Sequence, residues 1–342
     1  MAGRQYWADP AGLAWRRLGE APLNNRSGLV YGTYLPDATT TGLVSATSTI
    51  QATNVTYSDM SASVKEFENI DYQGHVYLTG KHYRFRNCRF SGPLNPTTAT
   101  VQSRYATSED IIFEDCTFKP RSVNTNAGNI IGRGFTLLRC DLSGGIDGAG
   151  PAVADGGTRT DVIIQQSYLH GLLRYCPDAS QGDNQSHSDG IQWAGGFGLT
   201  LLGNRIEGLI DTTIGVGWAP ATYDGQSVLT GGHPFYPNPT GTSTLMINAL
   251  GGTIQPGELI MHKNWIRGGA VGINSLGVPN AWLVDDGISE VSDNWFHNDQ
   301  GYGTNNRWVG KATQVINIHD NYVWNLSSPL DISVGVSPKV NA

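Results

Sequence analysis

The chain has 342 residues, of which 39% are hydrophobic and only 15% charged, with 44 glycines, 16 prolines and 4 cysteines. So much glycine and so little charge disfavour a helical bundle or coiled coil and point to a turn-rich β protein. The net charge is −7, and without a run of Lys or Arg there is no track for phosphates, so no nucleic-acid partner is expected.

No apolar stretch approaches the roughly 20 residues that cross a bilayer, and the opening MAGRQYWADPAG lacks the basic-then-apolar layout of a secretory signal. Neither a membrane span nor an export signal is expected. Four cysteines in this length make no disulfide scaffold, and no C-x-x-C pair starts a zinc site, so the thiols are expected to be buried and no metal or cofactor is expected.

In chain order, the first element is a short helix. Asp9-Pro10 reads as an N-cap followed by proline at the first helical position, and Ala11, Ala14, Trp15 and Leu18 then share one face. Residues 37–63 are rich in Thr and Ser, as in an extended approach to a larger body. Residues 1–63 together are expected to form a capping or docking segment: a cap on the first coil, or a surface through which Trp7 and Trp15 meet a partner protein.

From there a ten-residue block recurs: YRFRNCRFSG at 83–92, IIFEDCTFKP at 111–120, FTLLRCDLSG at 135–144, VIIQQSYLHG at 162–171, LTLLGNRIEG at 199–208, LIMHKNWIRG at 259–268, SEVSDNWFHN at 289–298 and INIHDNYVWN at 316–325. The sixth place is always small or an amide: Cys88, Cys116, Cys140, Ser167, Asn204, Asn264, Asn294 and Asn321. The third and eighth places are always apolar. Alternation holds on either side of one dislocation between the third and sixth places, which is the pattern of two short strands joined by a tight bend.

Successive blocks start 28, 24, 27, 37, 60, 30 and 27 residues apart, so one block per coil of a solenoid is implied, with insertions at 174–188 and within 209–258. Stacking places the sixth-place residues about 4.8 Å apart as an internal ladder, asparagines in the C-terminal half and cysteines in the N-terminal half.

These blocks resemble the right-handed parallel β-helix family, the pectate-lyase-like superfamily, in their short strands, Asn ladder and aliphatic stacks. The resemblance covers about Phe67 to Val334. It implies an all-β, single-stranded right-handed parallel β-helix of about ten coils over 64–342.

The ladder also predicts which side chains face outward. The seventh place reads Arg89, Thr117, Asp141, Tyr168, Arg205, Trp265, Trp295, Tyr322, and the ninth reads Ser91, Lys119, Ser143, His170, Glu207, Arg267, His297, Trp324. Trp265, Trp295, Tyr322 and Trp324 should form an exposed aromatic patch, fit for a sugar, a subunit contact or a covering loop.

The segment from His187 to Gly215 is similar to the stretch of polygalacturonase-type hydrolases in which N-T-D-G-I precedes a paired Asp-Asp by about twenty residues. That resemblance assigns catalytic roles to Asp189 and Asp211, although Ile210 replaces the first member of the pair and neither the downstream Gly-His-Gly nor the Arg-Ile-Lys is present. A lyase would draw on Asp183, Asp189 and Asp211 with Arg174, Arg205 or His187. The competing reading makes Asp189-Gly190 a corner turn, since Asp-Gly recurs at 147–148, 155–156, 224–225 and 286–287. His170, His297 and Glu207 are expected to line one outer surface.

Two functions follow as expectations. In the first, the chain is a minor tail or tail-spike-like protein of a bacteriophage, located in the virion. It would be a homotrimer by family analogy, bound to other tail proteins through its N-terminal segment and to host polysaccharide through the solenoid. In the second, it is a secreted hydrolase or lyase acting on a polysaccharide.

Overall fold

The computed structural model describes residues 35–122, 128–154, 157–173, 186–208, 243–247, 254–269, 271–274, 288–297 and 317–325, with short strands at 222–223, 226–227, 308–309 and 328–333. Among these residues there is no helix, and the helix expected near Pro10 lies outside them. Short strands stack into three long sheets, here A, B and C, of eleven, nine and nine strands. Within these three sheets pairing is parallel except at the last strand of sheet A, where Ser328–Ser333 runs antiparallel to Tyr322–Asn325; Thr222–Tyr223 and Gln226–Ser227 form a separate antiparallel pair. The chain visits C, A and B in turn, so each strand pairs with the equivalent strand of the next coil. This is the expected single-stranded parallel β-helix.

The first four places of each block form a sheet C strand, and the seventh and eighth start a sheet A strand. The bend between them rests on the fifth place. Asn87, Asp115, Arg139, Gln166, Gly203, Lys263, Asp293 and Asp320 all have φ between +47° and +60°. A single left-handed residue reverses the alternation and turns the chain, which explains the dislocation in the pattern. Asn, Asp and Gly adopt this conformation at least cost, so the bend is written mainly in those residues.

One bend further upstream, Asn69 has φ +58°. It belongs to a ninth block, KEFENIDYQG at 65–74, whose Phe67 is in register with Phe85 and whose Tyr72 is in register with Phe90. The sheets begin earlier still. Thr49–Gln51 pairs with Ile70–Tyr72 in sheet A, and Val55–Tyr57 with Val76–Leu78 in sheet B, both upstream of the expected boundary at 64.

The sixth-place residues lie directly over one another, all at most 1% exposed. The side-chain amide of Asn204 donates to Oδ1 of Asn264 at 2.9 Å, Asn264 to Asn294 at 2.9 Å, and Asn294 to Asn321 at 3.0 Å. Each amide also donates to the third-place carbonyl of the preceding coil: Asn204 to Ile164, Asn264 to Leu201 and Asn294 to Met261, at 2.7, 2.9 and 2.8 Å. The cysteines make the same contact more weakly. Their Sγ atoms donate to the carbonyls of Phe67, Phe85 and Phe113 at 3.5, 3.5 and 3.4 Å. Cysteine is therefore more than a small spacer here: it is the apolar substitute for asparagine, keeping the donor and losing the acceptor.

Inside, the third and eighth places stack. Phe67, Phe85 and Phe113 follow one another at 5.1 and 5.0 Å between ring centroids, and Tyr72, Phe90 and Phe118 at 5.0 and 4.7 Å. Towards the C-terminus these rings give way to Leu137, Ile164 and Leu201 in one column and Leu142, Leu169 and Ile206 in the other, all fully buried.

The first coil is reached by an unexpected route. Residues 42–48 run along the helix axis outside the C-to-A bend. The Gly42 N–H donates to Arg139 O, Leu43 to Thr117 Oγ1, Val44 to Asn87 Oδ1 and Ser48 to Asn69 O, at 2.8, 3.0, 2.8 and 2.8 Å. The strap thus crosses successive coils before turning into the first strand. It presses so closely that a Cβ at Gly42, where φ is +72°, would lie 2.6 Å from Thr117 Oγ1 and 2.8 Å from Asp141 Cβ.

Replacing Asn264 by alanine strips the acceptor from both donors of Asn204 and the donor from two buried carbonyls. The expected cost is about 3 kcal/mol or more of unfolding free energy, read as a lowered urea midpoint at unchanged slope.

Candidate functional site

Among the described residues, the outer face of sheet A carries a row of chemically capable side chains. Strands Asp141–Leu142, Tyr168–Leu169, Arg205–Glu207, Trp265–Arg267 and Trp295–His297 are adjacent there. Asp141 is in register with Tyr168, Tyr168 with Arg205, Arg205 with Trp265 and Trp265 with Trp295. Alternation sends the seventh and ninth places outward together, so each strand offers two neighbouring side chains.

At one end of this face, His170 Nε2 lies 3.1 Å from Asp141 Oδ2, and the His170 ring stacks on Tyr168 at 3.8 Å. Ser143 Oγ donates to the other oxygen of Asp141 at 3.3 Å. The Tyr168 hydroxyl points to the next strand and donates to Glu207 Oε1 at 3.3 Å. Arg205 Nε donates to that same oxygen at 2.7 Å, while the guanidinium carbon of Arg205 sits 4.6 Å from the Tyr168 ring centre. Arg267 approaches it at 3.8 Å. Burial raises the Tyr168 phenol above its ordinary range, and the Glu207 charge raises it further, so it remains a proton donor at neutral pH.

Chemically this is a carboxylate–imidazole pair in contact with a phenol, beside a carboxylate held by two guanidinium groups. Such a set can bind hydroxyl and carboxylate groups and can move a proton. Among the described residues no group of three His, Cys, Asp or Glu side chains is arranged to hold a metal.

Further along, Trp265 and Trp295 stack at 4.6 Å with 14° between their planes. The expected exposed patch needs correction, because Trp265 is only 2% exposed and Trp295 is half-buried. An outward direction in the strand did not bring exposure: the indole is covered as well as stacked. Tyr322 and Trp324 are in register with Trp295 and His297, and their side chains lie outside the described residues.

The two longest connections in the middle of the solenoid leave from this same edge. After Tyr168–Leu169 the next sheet B strand starts at Ile191, and after Arg205–Glu207 it starts at Ser243. Asp183, Asp211 and Arg174 fall in those connections, outside the described residues.

Asp189 and His187 are placed at the start of sheet B. His187 is half-buried, while Asp189 is 1% exposed. Its Oδ1 accepts the Ser243 N–H at 2.5 Å, and its own N–H donates to Asp147 Oδ1 at 2.8 Å. The two Asp-Gly pairs, 147–148 and 189–190, are therefore stacked rungs of a second ladder in which each carboxylate caps the backbone of the next coil. This agrees with the turn reading of Asp189-Gly190. The recurrence of Asp-Gly was the visible signal, although its spacing did not identify which pairs would stack.

No family model, curated protein or solved structure matches the chain.

Burial pushes the Asp147 carboxyl up to about 7, opposed by the Asp189 N–H bond. The folded protein then holds a proton that the unfolded chain releases near pH 4, so stability should fall as the pH rises from about 4 through 7. Asp147→Asn keeps the acceptor and removes the titration. The difference between the urea midpoints at pH 5 and pH 8 should be smaller in this variant than in the native protein.

Proposed function

We propose that this β-helix recognises a surface glycan through the outer face of sheet A, as a component with which a bacteriophage tail contacts its host. The observation that carries the glycan reading is the outer row in which the charged and polar groups of Asp141, His170, Tyr168, Arg205 and Glu207 lead to the half-buried indole of Trp295, itself backed by the covered Trp265. Flat rings stack on the apolar faces of sugars, while fixed guanidinium and carboxylate groups bond to hydroxyls. A rigid solenoid holds these groups at strand spacing, which suits an extended polymer more than a compact ligand. The tail setting, the pectate-lyase-like kinship and a homotrimer rest on architectural resemblance: a leading segment ahead of a parallel β-helix.

A specific observation favours a second reading. Asp141 is bonded to His170, and the Tyr168 ring stacks on that imidazole while its phenol bonds to Glu207, so a base and an acid of the kinds a polysaccharide lyase or hydrolase uses lie side by side. In this reading His170, oriented by Asp141, is the base and the Tyr168 phenol the acid.

Binding of the purified chain to host-surface polysaccharide, followed by calorimetry, distinguishes these roles. Trp295→Ala and Arg205→Ala should each weaken binding at least tenfold, about 1.4 kcal/mol, with the unfolding midpoint showing that the fold persists. If neither variant weakens binding, the face is not the glycan surface. Release of unsaturated or reducing ends by the native chain, lost in His170→Ala, would establish the enzyme.

A further inference from the structure

Sheet B differs from its two neighbours in what it shows to solvent. Its strands are short, so each coil turns one central side chain outward between two that point into the core. Thr56, Tyr77, Gln102, Ile131 and Gly150 follow one another in register, as do Gln192, Met246 and Asn274, and the pairing of Ala149 with Ile191 joins the two runs. Their inward neighbours Val76, Ile130, Ile191 and Leu245 are 0% exposed, whereas Tyr77, Gln102, Ile131, Gln192 and Met246 are half-buried.

None of these outward side chains is charged. The outer face of sheet A carries Arg89, Asp141 and Arg205, and that of sheet C carries Glu66, Arg84 and Glu114. In a chain of net charge −7, two copies repel least along an uncharged wall, and depletion of charge marks the buried centre of subunit interfaces.

The row is also complementary to itself when reversed. Counting outward from the step between Ile131 and Gly150, an isoleucine meets a residue with no side chain, Gln102 meets Gln192, Tyr77 meets Met246 and Thr56 meets Asn274. A branched side chain is thus set against a low point, two amides can exchange hydrogen bonds, a ring lies against a thioether, and polar residues close both ends. The low point is fixed by packing, because a Cβ at Gly150 would lie 3.2 Å from Cγ1 of Ile131. Among the described residues, neither the Gln102 nor the Gln192 side-chain amide has a bonding partner.

The corners that follow these two glutamines match as well. Between Ser103 and Glu109 the corner holds five residues, and between Trp193 and Phe197 it holds three. The larger projects Tyr105, 39% exposed, while two residues of the smaller are Gly195 and Gly196.

We infer that two copies of this chain pair face to face through sheet B, related by a two-fold axis that runs along the strands between Ile131 and Gly150. That axis reverses the order of the coils and keeps the strand direction, so Tyr105 of each copy meets the short glycine corner of the other. Eight coils at strand spacing make a wall roughly 34 Å long, and a strand with one corner residue at each end is roughly 17 Å across, so each copy buries about 600 Å². Two such faces reach the lower end of the area buried in stable, specific pairs. The inference goes beyond the glycan reading. It leaves the sheet A faces outside the contact and puts a dimer in place of the homotrimer implied by resemblance.

Sedimentation equilibrium of the full chain across the micromolar range tests the pair. A monomer–dimer equilibrium is expected. Ile131→Arg, which brings like charges together across the axis, should raise its dissociation constant at least about tenfold at an unchanged urea midpoint. A monomer or a trimer overturns the inference, and so does a dimer that Ile131→Arg leaves intact. Orientation has its own readout, in a Cys176→Ser background where the buried Cys88, Cys116 and Cys140 leave a short bis-maleimide to introduced thiols. The reagent is expected to join a Gln102→Cys chain to a Gln192→Cys chain and neither variant to itself, since like residues would lie about 14 Å apart along the helix axis. Self-joining, or no mixed product, overturns the arrangement. Both measurements are made without glycan, so their failure is separate from failure of the glycan reading.

Discussion

Everything in this molecule depends on how one residue per coil turns a corner. A left-handed fifth-place residue sends the next side chain inward, to a position where neither its own polar atoms nor the surrounding backbone can meet water. Leaving a buried amide or carbonyl unpaired costs on the order of 1–3 kcal/mol, so the bend is tolerable only if the neighbouring coil supplies the missing partners. In the Asn half this is done by a chain of amides, each coil satisfying the one before it. Stability is then a property of stacking, and no coil closes its own account of hydrogen bonds.

The change from Asn to Cys along the ladder is not matched coil by coil in the core beside it. Cys88 and Cys116 lie with Phe at the third and eighth places, whereas Cys140 lies with Leu137 and Leu142 and Asn294 with Val291 and Phe296. The crossover is Ser167, whose hydroxyl accepts the Cys140 N–H and donates to Gln165 O, while its own N–H donates to Asn204 Oδ1. One residue thereby joins a ladder of weak donors to a ladder of strong ones without an orphaned group.

The fold was legible because side chains repeat wherever geometry repeats. Three columns, the third, sixth and eighth places of eight blocks, could be read off directly, and with them the strands of sheets C and A. The block at 65–74 escaped because its sixth place is Ile70, neither small nor an amide, while its Phe67, Asn69 and Tyr72 fit the pattern. The strap was not legible, since its anchors are backbone N–H groups that any residue supplies, and only Gly42 carries a steric signature. For the candidate site, Tyr168, His170, Arg205, Glu207, Trp265 and Trp295 were correctly sent outward, but direction is a property of one strand and exposure a property of the whole surface. Trp265 shows the difference. Asp147 and Asp189 were visible as Asp-Gly turns, whereas their stacking depends on where a long connection returns, which local spacing does not encode.

The same difference separates structural from functional use of polar residues here. Inside the ladders every Asn, Ser and Asp faces a partner fixed by strand register, and the geometry leaves no freedom for a ligand. The charges beside sheet C are equally committed: Arg139 bonds to Asp115 at 2.9 Å and to Glu114 at 2.5 Å, with all three at most 1% exposed. Removing one member would leave a buried charge unpaired, so this network resists change and specifies register more than it adds stability. On sheet A, Asp141, Tyr168, His170 and Arg205 are more solvated and lie between the roots of the two long connections. A surface can acquire a ligand only where its own bonds are not all required for the fold, and along this solenoid that condition is best met from Asp141 to Trp295.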